Sequence, residues 1–113
     1  DGNRGGRVTL VSVEFITEKA MGIITYAGMA KSSYMEALGF AKQEKFSESD
    51  DKLKEGSRYI VESHHIHADL LQKEMSSEEP QISLLMAHAE DQLMGAEMLK
   101  LVIMELIELH KDK

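Results

Sequence analysis

Three polar side chains in the C-terminal third of the chain have types and spacing suited to group transfer and ion binding: His88, Asp91 and Gln92. A neutral imidazole is a good nucleophile near neutral pH, and one ring nitrogen can attack while a hydrogen bond fixes the other. Gln92 follows His88 by four residues, so on a helix it lies one turn away on the same side. Spacing alone does not separate such a nucleophile from an ordinary surface or packing histidine, which is the commoner case.

A second group of polar residues comprises Glu62, His64, His65, His67 and Asp69. His65 and Asp69 are one helical turn apart and could bind a metal ion together. His64 and His67, however, point to one side of the helix, and His65 turns away from them by about 100°. Five groups on one helix cannot converge on one ion, so we do not expect a metal site here.

The elements that position these residues are predicted to be helices. The chain has one proline, no tryptophan and eight methionines, and it is rich in Ala, Leu, Glu and Lys, which favours helix over sheet. We predict helices over about 14–42, about 47–75 and about 81–110. The Gly-rich residues 1–12 are interpreted as a flexible N-terminal segment or a remnant of protein production, and residues 13–113 as one domain.

The first two predicted helices each carry one buried line of residues with alternating steps of four and three. On the first helix the line comprises Ile16, Ala20, Ile23, Ala27, Ala30, Tyr34, Ala37 and Ala41. On the second it comprises Leu53, Ser57, Ile60, His64, His67 and Leu71. The small residues of the first line allow close approach between helices.

The third helix carries two such lines, about 160° apart. The first comprises Ile82, Leu85, Ala89, Gln92, Ala96, Leu99, Ile103 and Leu106. The second comprises Leu84, Ala87, Asp91, Met94, Met98 and Leu101. A helix in a three-helix monomer buries one line, so the second is surplus unless another chain covers it. We therefore predict self-association through the third helix; the alternative is that the two lines contact the two partner helices of one subunit.

Asp91 is the unusual residue of the second line, because an unpaired carboxylate on a buried apolar surface costs several kcal/mol. If the line follows a rotation axis, symmetry brings several copies together, and a hard divalent cation would relieve their repulsion. If Asp91 lies on a partly exposed rim, water satisfies it. Spacing leaves both arrangements open.

Charge and composition exclude several classes of protein. Lys and Arg number 13 against 20 Asp and Glu, a net charge of −7, which disfavours nucleic acid as a partner. The chain contains no cysteine, so disulfides and thiolate chemistry are absent. No apolar run reaches the roughly 20 residues of a membrane span, and the start lacks the apolar region of a signal peptide. We expect a cytoplasmic protein.

Three segments of the chain resemble a known family. The segment Leu84–Met94 is similar to the signature of lactose- and cellobiose/chitobiose-type enzyme IIA proteins of the bacterial sugar phosphotransferase system, whose usual core is His-x-Gln-Asp-His-Leu-Met. The segments Tyr26–Ser33 and Leu106–His110 agree as well, and the resemblance covers about residues 14–113. Three segments in the right order, in a chain of the right length, form a specific signal.

The resemblance implies an all-α fold, an antiparallel three-helix bundle whose copies assemble into a homotrimer, a nine-helix bundle. It implies that His88 accepts a phosphoryl group from the phosphocarrier protein HPr and passes it to a cysteine of the cognate IIB component, with the membrane IIC component involved only indirectly. Asp91 matches the aspartate that gathers around a divalent ion, usually taken as Mg²⁺, at the threefold axis. His64 matches a position that also tends to be histidine, as a possible support of the active site.

The chain departs from the usual family pattern at two positions. Glu90 replaces Gln, but it lies about 200° around the helix from His88 and so faces away from it within one subunit. Gln92 replaces His; it can donate a hydrogen bond but cannot carry a proton, so the pH dependence of transfer is expected to differ.

Other readings remain open at this point. The ending of the chain favours cellobiose or chitobiose over lactose as the transported β-linked disaccharide, although Tyr26–Gly28 is similar to the lactose branch. The alternative function is a non-enzymatic helical trimer that acts as an interaction or regulatory module. A bundle enzyme with a metal centre is disfavoured, because its Glu-x-x-His pairs are absent.

Overall fold

The structure is a computed structural model that describes the backbone of residues 2–75 and 84–112 and the side chains of residues 14–73 and 84–112. The predicted break at 76–80 lies outside the described residues.

The described chain is helical, with three helices and no strand. The helices are α1 Gly2–Lys42, α2 Phe46–Met75 and α3 Leu84–Lys111. The all-α, three-helix prediction is confirmed; assembly into a trimer stays a prediction. None of the described helices has the length and apolar character needed to cross a membrane.

Helix α1 begins at Gly2, so the predicted start at residue 14 is wrong. Glycine costs about 1 kcal/mol relative to alanine inside a helix but does not block helical backbone. A helix nucleated by the packed residues that follow can therefore extend back through this segment. The division into residues 1–12 and 13–113 remains a prediction.

A short turn reverses the chain between α1 and α2. The amide of Lys45 donates to the carbonyl of Phe40 at 2.9 Å, and the amide of Glu44 donates to Ala41 at 3.0 Å. Glu44 has a φ of 60°, so these bonds form a Schellman motif whose left-handed position is occupied by a non-glycine residue. The turn ends α1 and sets α2 antiparallel to it.

The predicted buried line of α1 is confirmed at every position, and it lies against both other helices. All eight residues are buried, and Leu38 joins them. Helix α1 packs along α2 and along α3, whereas α2 and α3 contact each other little. Helix α1 is therefore the central element of the subunit.

The buried line of α2 differs from the predicted one. His64 and Leu71 are exposed, and the buried positions are Ser49, Gly56, Ser63 and Leu70. Two of these seal the contact with the α1 backbone: Ser49 Oγ donates to the Ala37 carbonyl at 2.7 Å, and Ser63 Oγ donates to the Ile23 carbonyl at 3.4 Å. The small size of Ser49, Gly56 and Ser63 lets α2 approach α1 closely. Leu53 and Ile60 of the predicted line are partly buried and pack against the core beside them.

Tyr34 and Gly56 form the tightest contact between α1 and α2. A Cβ at Gly56 would lie 2.5 Å from Cε1 of Tyr34, so only glycine fits beside this buried ring. The Tyr34 hydroxyl lies 3.3 Å from Ser57 Oγ. Burial raises the pKa of Tyr34, which keeps the hydroxyl protonated.

A charged cluster ties α1 to the start of α2. Lys52 Nζ lies 2.8 Å from Glu36 Oε2 and 2.9 Å from Glu55 Oε2, and Ser33 Oγ donates to Glu55 Oε2 at 3.3 Å. The hydrogen bond from Lys52 holds the pKa of Glu55 below its ordinary value, and Glu36 and Glu55 raise the pKa of Lys52.

Helix α3 has one buried side and one apolar exposed side, in broad agreement with the two predicted lines. In the first line Ala89, Ala96 and Ile103 are buried, but Leu106 is exposed and Ile107 is buried instead; Ile82 lies outside the described residues. Every residue of the second line is exposed. We call this second line the outer face of α3: Leu84, Ala87, Asp91, Met94, Met98 and Leu101.

Candidate functional site

His88 lies in the second turn of α3, and its side chain is exposed. Gln92 and Gly95 follow it by four and seven residues, so the three share one side of the helix. Gln92 is half-buried. The His88 ring is not part of the core, so an approaching protein can reach it.

Lys31 of α1 completes this side of α3. Its Nζ donates a hydrogen bond to Gln92 Oε1 at 2.7 Å and lies 3.7 Å from the position that a Cβ would take at Gly95. Sequence reasoning did not single out Lys31. The available signal was its place in the segment Tyr26–Ser33, but the register of α1 against α3 was needed to bring it to Gln92.

Glu90 and Glu97 turn toward α2 and away from His88. His67 Nε2 lies 3.2 Å from Glu90 Oε1, and His64 Nε2 lies 3.0 Å from Glu97 Oε1. The expectation that Glu90 faces away from His88 agrees with the first contact. Glu97 is about 180° around α3 from His88, so the contacts of one chain do not bring His64 to His88 as a support.

Asp91 lies on the outer face of α3 and is exposed in the single chain. Within the described residues, no three His, Asp or Glu side chains form a group that could hold a metal ion. One exposed Asp91 carboxylate is a weak site for a divalent ion, whose remaining ligands would have to be water or groups from further copies of the chain.

An open groove of about 780 Å³ lies away from these residues, between α2 and α3. Its lining includes Tyr26, Tyr59, Arg58, Lys100 and Met104. None of His88, Asp91, Gln92 and His64 belongs to it. The candidate site residues therefore lie on the surface of the helices. Sites for small molecules are usually concave pockets, so this placement favours a protein as the partner.

Comparison with known proteins assigns most of the chain to one family. The family described as the PTS system, Lactose/Cellobiose specific IIA subunit, matches residues 18–111. The lichenan-specific phosphotransferase enzyme IIA component of Bacillus subtilis (strain 168) is 37% identical over 89 residues, 79% of this chain and 81% of that protein. The lactose-specific EIIA component of Lactococcus lactis subsp. lactis is 39% identical over 98 residues, 87% of this chain and 93% of that protein.

Solved structures agree with these sequence relatives. The cellobiose-specific enzyme IIA from Bacillus anthracis aligns with a TM-score of 0.78 and 39% identity, covering 84% of this chain and 87% of that one. A chain from the solution structures of the IIA(chitobiose)–HPr complex of Escherichia coli aligns with a TM-score of 0.77 and 30% identity, covering 86% and 94%.

These matches place the chain among the helical IIA components of the phosphotransferase system. The chain belongs to the lactose/cellobiose-specific IIA family of that system.

Proposed function

We propose that the chain is a phosphohistidine carrier that accepts a phosphoryl group from phospho-HPr on His88 and passes it to the cysteine of a cognate IIB component. The observation that carries the proposal is the exposed His88 ring, which shares one side of α3 with Gln92 and Lys31 inside the region matched to the family. HPr as the donor is supported by the similar IIA(chitobiose) chain, whose solved structure is a complex with HPr.

The transfer needs little machinery from this chain. A ring nitrogen of His88 attacks phosphorus with its lone pair as the phosphorus–nitrogen bond of the donor phosphohistidine breaks, and the donor imidazole keeps the electron pair. Each ring keeps a proton on its second nitrogen throughout, so the donor leaves as a neutral imidazole and no further proton has to move. In-line placement at a protein interface and stabilisation of the phosphoryl oxygens supply the catalysis.

The proposed relay serves the uptake of a β-linked disaccharide and takes place in the cytoplasm. Cellobiose or chitobiose is favoured over lactose by the names of the similar solved structures, whereas curated relatives are named for lichenan and lactose. The sugar itself is bound by the membrane IIC component in this scheme, so the chain turns over no free sugar.

We also propose that the working form is a homotrimer built on the outer face of α3. Met94, Met98 and Leu101 on this face are 64%, 61% and 59% exposed. A continuous apolar surface on a long helix is the usual mark of a contact with another chain. Parallel packing of three α3 helices would bury it and give a nine-helix bundle.

A divalent ion, with Mg²⁺ as the first candidate, is proposed to bind between the copies of Asp91 on this face. The fit rests on the chemistry of the ligand, because a carboxylate between Ala87 and Met94 would be costly in an apolar contact without a cation. When bound, such an ion neutralises the gathered carboxylates. Among the described residues of one chain, no three His, Asp or Glu side chains form an alternative site for it.

Phosphorylation of purified protein tests the carrier function directly. Enzyme I, HPr and phosphoenolpyruvate should place one acid-labile phosphoryl group on His88, identified by mass spectrometry. His88→Ala should abolish labelling, and His65→Ala, which removes an exposed histidine from α2, should keep it. A folded wild type that gains no phosphoryl group would instead favour a non-enzymatic interaction module, and label retained in His88→Ala would contradict the assignment.

A further inference from the structure

The contact between Lys31 and Gln92 fixes the orientation of an amide beside His88. A lysine ammonium group donates hydrogen bonds and accepts none, so the amide group that faces Lys31 at 2.7 Å must be the oxygen. The NH₂ group of Gln92 therefore points away from Lys31. Its two hydrogens remain available to an acceptor on the side of α3 that carries His88.

Lys31 also brings a positive charge to the contact with Gln92. Within residues 14–73 and 84–112, no carboxylate lies in ion-pair distance of Lys31, although Lys19 has one such partner and Lys52 has two. Lys31 is half-buried, so its charge is screened less than that of a fully exposed lysine. A partly buried cation without a counter-ion favours an anion that arrives nearby.

Two contacts place this charge on the His88 side of α3. Gln92 lies one turn beyond His88, and Gly95 lies two turns beyond it. The Lys31 stem passes over Gly95, since its Cε lies 3.8 Å from the position of a Cβ there. A Cβ at Gly95 would be in ordinary van der Waals contact with this stem, so the ammonium group lies close to the α3 backbone beside Gln92.

We propose that Lys31 is a positioning residue for phosphoryl transfer: it holds the Gln92 amide so that its NH₂ group can donate to the phosphoryl oxygens of phospho-His88, and its charge favours the phosphorylated form. This inference rests on the proposed function of His88 as the acceptor. No covalent bond involves Lys31 or Gln92. Their contribution is greater after transfer than before it, because the dianionic phosphoryl group is present only then.

The equilibrium of phosphoryl transfer between HPr and this chain measures how much Lys31 stabilises the phosphorylated form relative to the unphosphorylated one. With limiting phosphoenolpyruvate, the ratio of phosphorylated chain to phospho-HPr should fall about tenfold in Lys31→Met. Lys42→Met removes the same charge from the last turn of α1, about three helical turns beyond Lys31, and should stay within about twofold of wild type. Lys31→Arg keeps a cationic donor and should recover most of the loss. Equal ratios in Lys31→Met and Lys42→Met, or no recovery in Lys31→Arg, would overturn the proposal.

Substitutions at Gln92 test separately its oxygen, which accepts from Lys31, and its NH₂ group, which is proposed to donate to the phosphoryl group. Gln92→His offers an acceptor to Lys31 and a donor to the phosphoryl group, so its transfer equilibrium should stay within about threefold of wild type. Gln92→Glu accepts from Lys31 but offers no donor and adds a negative charge, so its equilibrium should fall at least as far as that of Lys31→Met. Unimpaired phosphorylation of Gln92→Glu would contradict the proposed contact with the phosphoryl group.

A measurement on the unphosphorylated protein separates this inference from the function of His88. The side-chain amide NMR signals of Gln92 should shift in Lys31→Met and not in Lys42→Met, whether or not the chain is a carrier. Wild type that takes no label from HPr refutes the carrier function. Normal labelling, with Gln92 signals and transfer equilibrium unaffected by Lys31→Met, refutes only the role of Lys31.

Discussion

The α1–α2 interface and the outward sides of α3 differ in whether their side chains find contacts within the chain. Between α1 and α2, serine hydroxyls bond to backbone carbonyls of the partner helix and a glycine receives the Tyr34 ring. On α3, methionines are exposed on one side and His88 on another. The first region completes its contacts within the chain, whereas the second leaves apolar surface and the side chain of His88 exposed. Intrachain packing and exposed apolar surface thus lie on different faces of the bundle.

The largest effect expected from this division is the loss of assembly when the outer face of α3 becomes charged. Met98→Glu would bury a carboxylate in each copy at a cost of several kcal/mol, so light scattering should give the mass of one chain where wild type gives three. Val61→Glu, on an α2 residue that is 50% exposed, should leave the mass unchanged. A monomeric wild type would remove the basis of the comparison.

The α1–α2 interface should respond in its free energy of unfolding rather than in its mass. Gly56→Ala forces a Cβ to within 2.5 Å of the buried Tyr34 ring and should cost about 1–3 kcal/mol. Gly28→Ala makes the same chemical change on α1 where no atom lies within 4 Å, and it should stabilise by up to about 1 kcal/mol. Urea denaturation of both proteins decides; equal stabilities would mean that the contact at Tyr34 is not restrictive.

The proposed ion at Asp91 gives a further test, because it would bind only to the assembled trimer and not to a single subunit. Wild type should melt roughly 5 °C lower in EDTA than in Mg²⁺, since an ion bound only by the folded trimer stabilises it by mass action. Asp91→Leu removes both the repulsion and the ligand, so it should remain trimeric and melt at one temperature in both buffers. A wild type indifferent to chelator would show that no structural ion binds there.

The smallest effect concerns the charged cluster at the start of α2. The pKa of Glu55 is lowered from its ordinary value of 4.5, first by the hydrogen bond from Lys52. Its contribution to stability is therefore present above pH 4.5 and is lost as the pH falls through the folded-state value. Glu55→Gln should lose less stability than wild type between pH 6 and pH 3. Parallel urea midpoints for the two proteins would argue against this linkage.

The sequence was sufficient where apolar residues determine the packing. Every buried position of the α1 line follows from its spacing, and the exposed outer face of α3 follows from having one line too many. The α2 line was displaced because Ser49, Gly56 and Ser63 pack through small size and hydrogen bonds, and periodicity of apolar residues gives them no weight.

The candidate site was predictable only within one helix. His88, Asp91 and Gln92 could be placed on their sides of α3 from spacing and family resemblance. The contacts of Lys31 with Gln92, and of His64 with Glu97, join different helices. They depend on the axial register between helices, which no single-helix pattern specifies.

The central position of α1 has a consequence for how the chain folds as it is synthesised. Helix α2 is the first partner of α1 to be synthesised, and it follows α1 through the short turn at Glu44. Because α2 and α3 contact each other little, α2 can pack on α1 before α3 is made. The antiparallel pair can then form as a local hairpin of low contact order. Helix α3 docks last, onto a surface that already exists. Newly made chains would therefore become competent to meet one another only when the segment carrying His88 has also been completed.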